Sequence, residues 1–459
     1  MKTFRGHWWL PDDPDSQPGT LTISNRGDVT LELIGGFDLS VRTPLPGGGY
    51  AVSANERPMP LIYGLAGNQR ITVQDALTLH SEARFGLSDR PNYHRISGTR
   101  AFVGVHLPEE EHQQLWQGCW VHLENFAHWS GANGVRCSAE LQSKSADLVE
   151  VPDKTVEVDG WTYTSVTRVG GFDFDVRRGD ISISGLMSAR LLIDAPGPCT
   201  IAELDTRVKA WMDLLTLASG SPCGVIGMSV IPVSDEDPRG GSRRREDYPV
   251  HVRHLHEAEP DADVTCEWRF TCDELAFQQA AATWMPLQAK ALEGTSAYFG
   301  SYYSPGGYTE ARALLNAVAA EATHRALGEL KRGRDIDPDT FADRKKRACA
   351  AMQTLDEREW LDRKLRNDPR PITFRDRLLD IVSSIAPEAI SLILTDVDEW
   401  ATDLTQTRNG LAHRADGSGQ RLHELAQATD AVLAAYLLAR LGLNAAVQAK
   451  AAGALRQPY

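Results

Sequence analysis

Apolar and polar residues follow two periods along this chain, and the period changes once. Up to about residue 265, apolar positions alternate with polar ones over short runs bounded by turn residues, as in half-buried strands. Thr20-Leu21-Thr22-Ile23-Ser24, then Asn25-Arg26-Gly27-Asp28, then Val29 to Ile34, reads as a hairpin around an Asn/Gly turn. Similar units recur at Leu61 to Gly64 with Ile71-Thr72-Val73, at Val156 to Val169 and at Asp180 to Ser184. Gly47-Gly48-Gly49 and Gly170-Gly171 read as turns between them. One helix interrupts this half, Ile201 to Ala218, where Leu204, Val208, Trp211, Leu214 and Leu215 keep helical spacing. Ser234 to Tyr248 mixes Arg239, Arg243, Arg244 and Arg245 with Asp235, Glu236 and Asp237, and reads as an exposed loop.

After Glu267-Trp268-Arg269-Phe270 the period is helical to the end. The spacing predicts helices near Asp273–Tyr298, Tyr308–Leu330, Pro338–Leu355, Thr373–Ile385, Pro387–Thr407 and Arg421–Leu441. Pro338, Pro369, Pro371 and Pro387 stand at or near helix starts, where a missing N–H costs nothing. The expected fold class is α+β multidomain: a β-rich N-terminal domain over residues 1–266 and an all-helical bundle over residues 267–459.

Composition narrows this little. The chain has 459 residues, 42% hydrophobic and 24% charged, as a globular protein of two or three domains should. Its net charge of −14 excludes a protein that coats nucleic acid through a basic surface, but leaves room for one basic cleft. Seven scattered cysteines, an odd number, suggest reduced thiols and a cytoplasmic location. Met1 to Trp9 has no apolar signal core, and Ala431–Leu443 is too short to span a bilayer, so no membrane partner is expected.

Candidate chemistry lies at the end of the predicted Pro387–Thr407 helix. Ile390, Ile393, Leu394, Val397, Ala401 and Leu404 form an apolar stripe, and Arg408 falls four residues after Leu404, on its continuation. A charge there is badly placed for solubility alone. Asn409-Gly410 can end the helix, and His413 follows. On one continuous helix, positions 408 and 413 stand about 140° apart; a break at Gly410 lets them converge on one pocket. Histidine suits proton movement at the 2′-OH or the leaving oxygen of RNA, and arginine suits the phosphorane charge. The loosened spacing also occurs at Arg100…His106 and at Arg244 or Arg245…His251, both in the β-rich half.

Arg408, Asn409 and His413 resemble the signature of the HEPN superfamily, an arginine, four to six intervening residues of which the first is polar, and then a histidine. Gly6-His7-Trp8-Trp9-Leu10-Pro11, Gly19 to Thr22, Ile62-Tyr63-Gly64 and Leu214 to Ala218 resemble the N-terminal domain of ApeA-type abortive-infection HEPN nucleases. The resemblance implies a metal-independent RNA endonuclease, with tRNA among the fitting substrates and cyclic-phosphate products. Arg408 and His413 would be catalytic, with Asn409 helping to arrange them. It further implies no cofactor, a homodimer through the helical domain, and a phage-derived trigger at the N-terminal domain.

Blander readings compete. Arg408 can be a C-terminal helix cap and His413 a surface histidine. Glu321 and His324, one turn apart, read as a solvated helix face in preference to part of the same cleft. His251, His254 and His256 with Cys266 and Cys272 lack zinc-site spacing and read as strand and loop residues. The basic stretch from Arg344 to Arg377 reads first as an ion-paired surface and second as an RNA track. Trp8, Trp9, Trp120 and Trp129 are expected in the core rather than under a ligand. Two other functions stay open: a silent HEPN protein that dimerises or binds RNA, and a toxin held by a separate antitoxin.

Overall fold

The computed structural model of the chain describes residues 1–46, 50–54, 58–82, 92–109, 115–132, 134–140, 143–176, 181–233, 247–254, 256–259, 267–304, 306–330, 338–365, 372–413, 419–453 and 455–459. Gly47-Gly48-Gly49, most of the Ser234–Tyr248 loop and Cys266 lie outside the described residues. The fold is α+β, a β-rich N-terminal region followed by a helical one. It separates into two compact units, Met1–Glu267 with Thr271–Ala282, and Trp268–Phe270 with Thr283–Tyr459.

In the first unit the strands are β1 (Lys2–Leu10), β2 (Asp13–Ile23), β3 (Val29–Ile34), β4 (Ser40–Pro44), β5 (Tyr50–Ala54), β6 (Met59–Ala66), β7 (Gln69–Glu82), β8 (Tyr93–Gly98) and β9 (Arg100–Val103). They continue as β10 (Trp116–Leu123), β11 (Val135–Glu140), β12 (Ser143–Leu148), β13 (Lys154–Val158), β14 (Trp161–Val176), β15 (Ile181–Cys199), β16 (Val225–Pro232) and β17 (Tyr248–Val252). All described pairings are antiparallel. The expected hairpin is β2–β3, with Leu21 opposite Leu31, and Gly27 takes φ +84° in its turn, where a side chain would be strained. β7 pairs with both β6 and β8, so β7-β6-β1-β2-β3-β8 closes into a ring of six strands. Its interior is filled by the inward alternate residues, including Trp8, Leu21, Leu31, Ile62, Val73 and Ile96. From β7 the sheet runs on as β9-β17-β16-β10-β15-β14-β13.

Among the described residues, two helices lie wholly within this unit, α1 (Phe126–Trp129) and α2 (Ile201–Ser219). α2 starts at a capping box, in which Thr200 Oγ1 accepts from Glu203 N–H and the Glu203 carboxylate accepts from Thr200 N–H. It ends at Gly220, φ +71°. Its buried face lies against β10 and β15, and Trp211 stacks on Phe277 at 5.3 Å between centroids, beside Trp129 and Phe126. Burying each such ring contributes on the order of 2–3 kcal/mol.

The remaining helices are α3 (Phe277–Lys290), α4 (Leu292–Tyr303), α5 (Thr309–Leu327), α6 (Pro338–Ala350), α7 (Leu355–Lys364), α8 (Phe374–Ser383), α9 (Pro387–Ile393), α10 (Val397–His413), α11 (Gly419–Arg440) and α12 (Ala445–Ala449). α5 packs against α4, α8, α10 and α11. Two expectations need correction. The predicted Asp273–Tyr298 helix is two helices, divided at Ala291. The predicted Pro387–Thr407 helix is also two, because Leu394 is extended (φ −125°, ψ 129°). Asp396 Oδ1 then accepts from the N–H groups of Asp398 and Glu399 and starts α10 afresh. The strand-like bonds of Tyr459 to Ile393 and Thr395 occupy the break. A short helix, α7, was missed, although its capping box of Thr354 and Glu357 is a readable start signal.

Candidate functional site

The stripe that leads to Arg408 belongs to α10 alone. Trp400, Ala401 and Leu404 are buried, and Trp400 Nε1 donates to Thr429 Oγ1 at 3.2 Å, fixing α10 on α11. One turn beyond Leu404, the Arg408 side chain is one-third exposed. Its Nη2 donates to Glu321 Oε2 at 2.5 Å, and its guanidinium lies 4.8 Å over the Phe374 ring. Glu321 takes a second arginine on its other oxygen, Arg325 Nη2 at 2.6 Å. A fork held by a carboxylate and a ring face keeps few rotamers, so Arg408 is a preorganised cation.

One turn along α5, His324 is 2% exposed. Arg377 Nη1 donates to its Nδ1 at 3.0 Å, and its Nε2 is 2.9 Å from Asp380 Oδ2. An arginine only donates, so Nδ1 accepts, and the proton sits on Nε2 and points at Asp380. The ring is therefore a neutral imidazole of fixed tautomer. Burial lowers its pKa first, with Asp380 opposing and Arg377 assisting. The reading of Glu321 and His324 as a solvated face is thus overturned: Glu321 is half-buried in ion pairs with Arg325 and Arg408, and His324 is buried in hydrogen bonds to Arg377 and Asp380. Phe374 and Asp380 were missed, and Arg377 was read only as one end of the basic stretch. The only signal was the Glu-x-x-His spacing on α5, which does not name its partners.

The Asn409-Gly410 turn is the other correction. α10 runs through both residues to His413, and neither takes a positive φ. A glycine inside a helix costs only about 1 kcal/mol relative to alanine, less than the packing of α10 returns. Asn409 is exposed, whereas the His413 side chain lies outside the described residues. Within one chain, positions 408 and 413 therefore stand about 140° apart on a continuous helix.

The described part of the basic stretch is partly paired. Lys345 meets Asp362 at 2.9 Å, Arg347 meets Asp343 at 3.4 Å, and Arg375 meets Asp398. Arg366 and Arg370 lie outside the described residues. In the β-rich unit, Trp8 and Trp129 are buried as expected, but Trp9 and Trp120 are half-buried. His251 and His254 line a cavity, and His256 stands 3.8 Å from Glu124. Among the described residues no group of three or more His, Cys, Asp or Glu side chains is arranged to hold a metal ion. No described helix is long and apolar enough to cross a membrane.

With this geometry in view, two family models match the chain: one described as ApeA N-terminal domain 1 over residues 3–284, and one described as Apea-like HEPN over residues 314–447. The chain belongs to the ApeA-like HEPN family. Glu321, His324, Arg377, Arg408, Asn409 and His413 all fall inside the HEPN match, and the closed six-stranded ring falls inside the ApeA match. No curated protein and no solved structure matches the chain.

Proposed function

We propose that the chain is an RNA endonuclease of anti-phage defence, with Arg408, Asn409 and His413 as its catalytic set and no metal in the reaction. His413 moves the proton at the 2′-OH or the leaving oxygen, Arg408 binds the scissile phosphate and stabilises the phosphorane, and Asn409 orients one of them. The observation that supports this most is the guanidinium of Arg408, held by Glu321 and Phe374 inside the HEPN match. Cleavage is expected to persist in excess EDTA, and His413→Ala is expected to lower it by about 10²-fold or more with the fold intact. Activity that returns only on adding Mg²⁺ or Mn²⁺ sinks the metal-free mechanism.

The working unit in this reading is a homodimer through the helical regions. A continuous α10 spreads its own Arg408 and His413 positions around the helix, so one copy does not bring the motif to a point. Two copies about a twofold axis supply two histidines, one for the attacking and one for the leaving oxygen, and two arginines between them. Mixing Arg408→Ala and His413→Ala chains is expected to restore partial activity, and a fully active monomer refutes the shared cleft. The β-rich region, 1–266 in the sequence division, would restrain the nuclease of 267–459 until a phage-derived trigger binds. A fragment from about Asp273 to Tyr459 is then expected to arrest growth more strongly than the full chain at equal expression.

A further inference from the structure

Away from the helical site, strand alternation in the β-rich unit builds a second cluster of chemistry. On β10, Cys119, Val121 and Leu123 are buried, while Trp120 and His122 between them are half-buried. Trp120 pairs with Leu192 of β15 and Ser229 of β16, and His122 pairs with Gly227. Ser229 in turn pairs with Pro249 of β17, two residues before His251. Val121 pairs with Leu191, so Arg190 is level with His122. Arg190, His122 and Gly227 thus form a row across three strands, with Trp120 and His251 on the same face. This is the face opposite the one against α2, and it opens into a cavity of about 350 Å³, which Lys2, Ser24, Asn25 and His254 complete.

The charge of this cavity is one-sided. Its described lining holds Lys2, Arg190, His122, His251 and His254 and no carboxylate, in a chain of net charge −14. Neither Lys2 nor Arg190 has an acidic partner among the described residues. Lys2 Nζ stands 3.5 Å from His251 Nε2, a contact that only a neutral imidazole tolerates as an acceptor. Burial, then Lys2 and His254, push His251 down to about 4, and burial with Arg100 does the same to His254. His122 is lowered by burial and by Arg190. Lys2 and Arg190 are cations with no described counter-charge, and the three neutral imidazoles beside them can turn N–H groups toward an anion. Gly227 keeps the β16 end of the row open: a Cβ there would meet nothing within 4 Å. The half-buried indole of Trp120 supplies a flat apolar surface beside the charges.

We propose that this cavity binds a phosphate-bearing small molecule of mononucleotide size, its phosphate between Arg190, Lys2 and the histidines and its ring on Trp120. The volume is at the lower end for small-ligand sites, which run from about 300 Å³ upward. The mixture of cations and an aromatic surface fits a phosphorylated ring compound better than a bare anion.

The test is calorimetric titration of the full chain at neutral pH with the four ribonucleoside 5′-monophosphates, inorganic phosphate, the unphosphorylated nucleosides and a short single-stranded RNA. At least one monophosphate is expected to bind, about tenfold or more tighter than phosphate or its own nucleoside, since both ends contribute. Arg190→Ala, at an exposed position, is expected to weaken it by about tenfold or more. Gly227→Leu fills the cavity from a position with room for a side chain, and is expected to abolish binding while leaving the melting temperature unchanged. Absence of monophosphate binding, undiminished binding in Gly227→Leu, phosphate binding as tightly as any nucleotide, or binding of RNA alone would each overturn the proposal. Because binding is read directly, none of these results depends on whether the helical region cleaves RNA.

Discussion

At the candidate site of the helical unit Arg408 and Arg325 come with a counter-charge, whereas in the β-rich unit Lys2 and Arg190 face an open cavity without any among the described residues. Arg408 and Arg325 share Glu321, and Arg377 is held by His324, which is itself tied to Asp380. Helices packed side by side bring side chains from successive turns into contact, and a buried charge there must be matched. A sheet face not covered by a helix imposes no such demand, so like charges can collect on it. The difference teaches what each cluster is ready for. A paired arginine is positioned but partly cancelled, and must divide its guanidinium between its carboxylate and an incoming anion. An unpaired one acts at full strength and is paid for by depressed histidines.

The sharpest way to break this comparison is to remove a counter-charge on which a buried arginine of the helical unit depends. Asp430 of α11 accepts from Tyr302 Oη at 2.9 Å, lies 3.9 Å from Arg312, and interacts with buried Arg269. Asp430→Ala is expected to cost the helical unit about 3–5 kcal/mol in denaturant unfolding, because Arg269 is left buried without its carboxylate. Arg190→Ala in the β-rich unit should change stability by less than about 0.5 kcal/mol. Similar losses in both variants would erase the contrast between the units.

Next in size is Arg408→Ala, expected to lower RNA cleavage by about 10²-fold or more, or some 2.7 kcal/mol in the barrier, with unchanged helicity by circular dichroism. A cooperative loss of helicity would instead make Arg408 a structural clamp on Glu321.

Acidification should act on the β-rich unit through His251 and His254. Their folded values, about 4, lie below the ordinary 6.5, so the unfolded chain takes up protons first as pH falls. Their stabilising effect is complete above about pH 6.5 and declines toward pH 4, by at most about 1.4 kcal/mol per histidine per pH unit. Melting curves of the double variant His251→Gln, His254→Gln should lose most of this slope. An unchanged slope would assign it to other groups, with His94 and His122 of the same unit, also lowered, the first to substitute.

The smallest expected effect sharpens the comparison at the candidate nuclease site. Glu321→Gln keeps an acceptor for Arg408 but removes the charge that competes with phosphate. A fall of about fivefold in kcat is expected, from exchanging a charged for a neutral hydrogen bond, together with a lower KM. A raised KM would show that Glu321 helps to hold RNA rather than to hold Arg408.

Much of the architecture was legible because its signals are local. The Asn25 to Asp28 turn flanked by β-prone runs became the β2–β3 hairpin, and the apolar spacing from Leu204 to Leu215 became α2. The motif Arg408-Asn409-x-x-x-His413 stood out for its place between amphipathic segments. Where local signals were ambiguous, the reading failed. Asn409-Gly410 has the chemistry of a helix end, yet the packing of α10 on α5 and α11 carries the helix through it. Ile390 and Leu404 have the spacing of one helix, yet Asp396 and the backbone of Tyr459 divide it.

The sequence by itself determined the order of a β-rich region and a helical one, the position of the candidate catalytic set, and the family resemblance that the comparisons bear out. Those properties rest on period, turn residues and short motifs, all encoded within a few residues. Only the tertiary structure decided that Glu321 meets Arg408 from 87 residues away, that Arg377 and Asp380 set the tautomer of His324, and that β7 reaches β8 to close a ring. It alone aligned Arg190, His122 and Gly227 across three strands. Such meetings depend on register and helix packing between distant segments, and a one-residue slip in a strand turns every side chain to the other face.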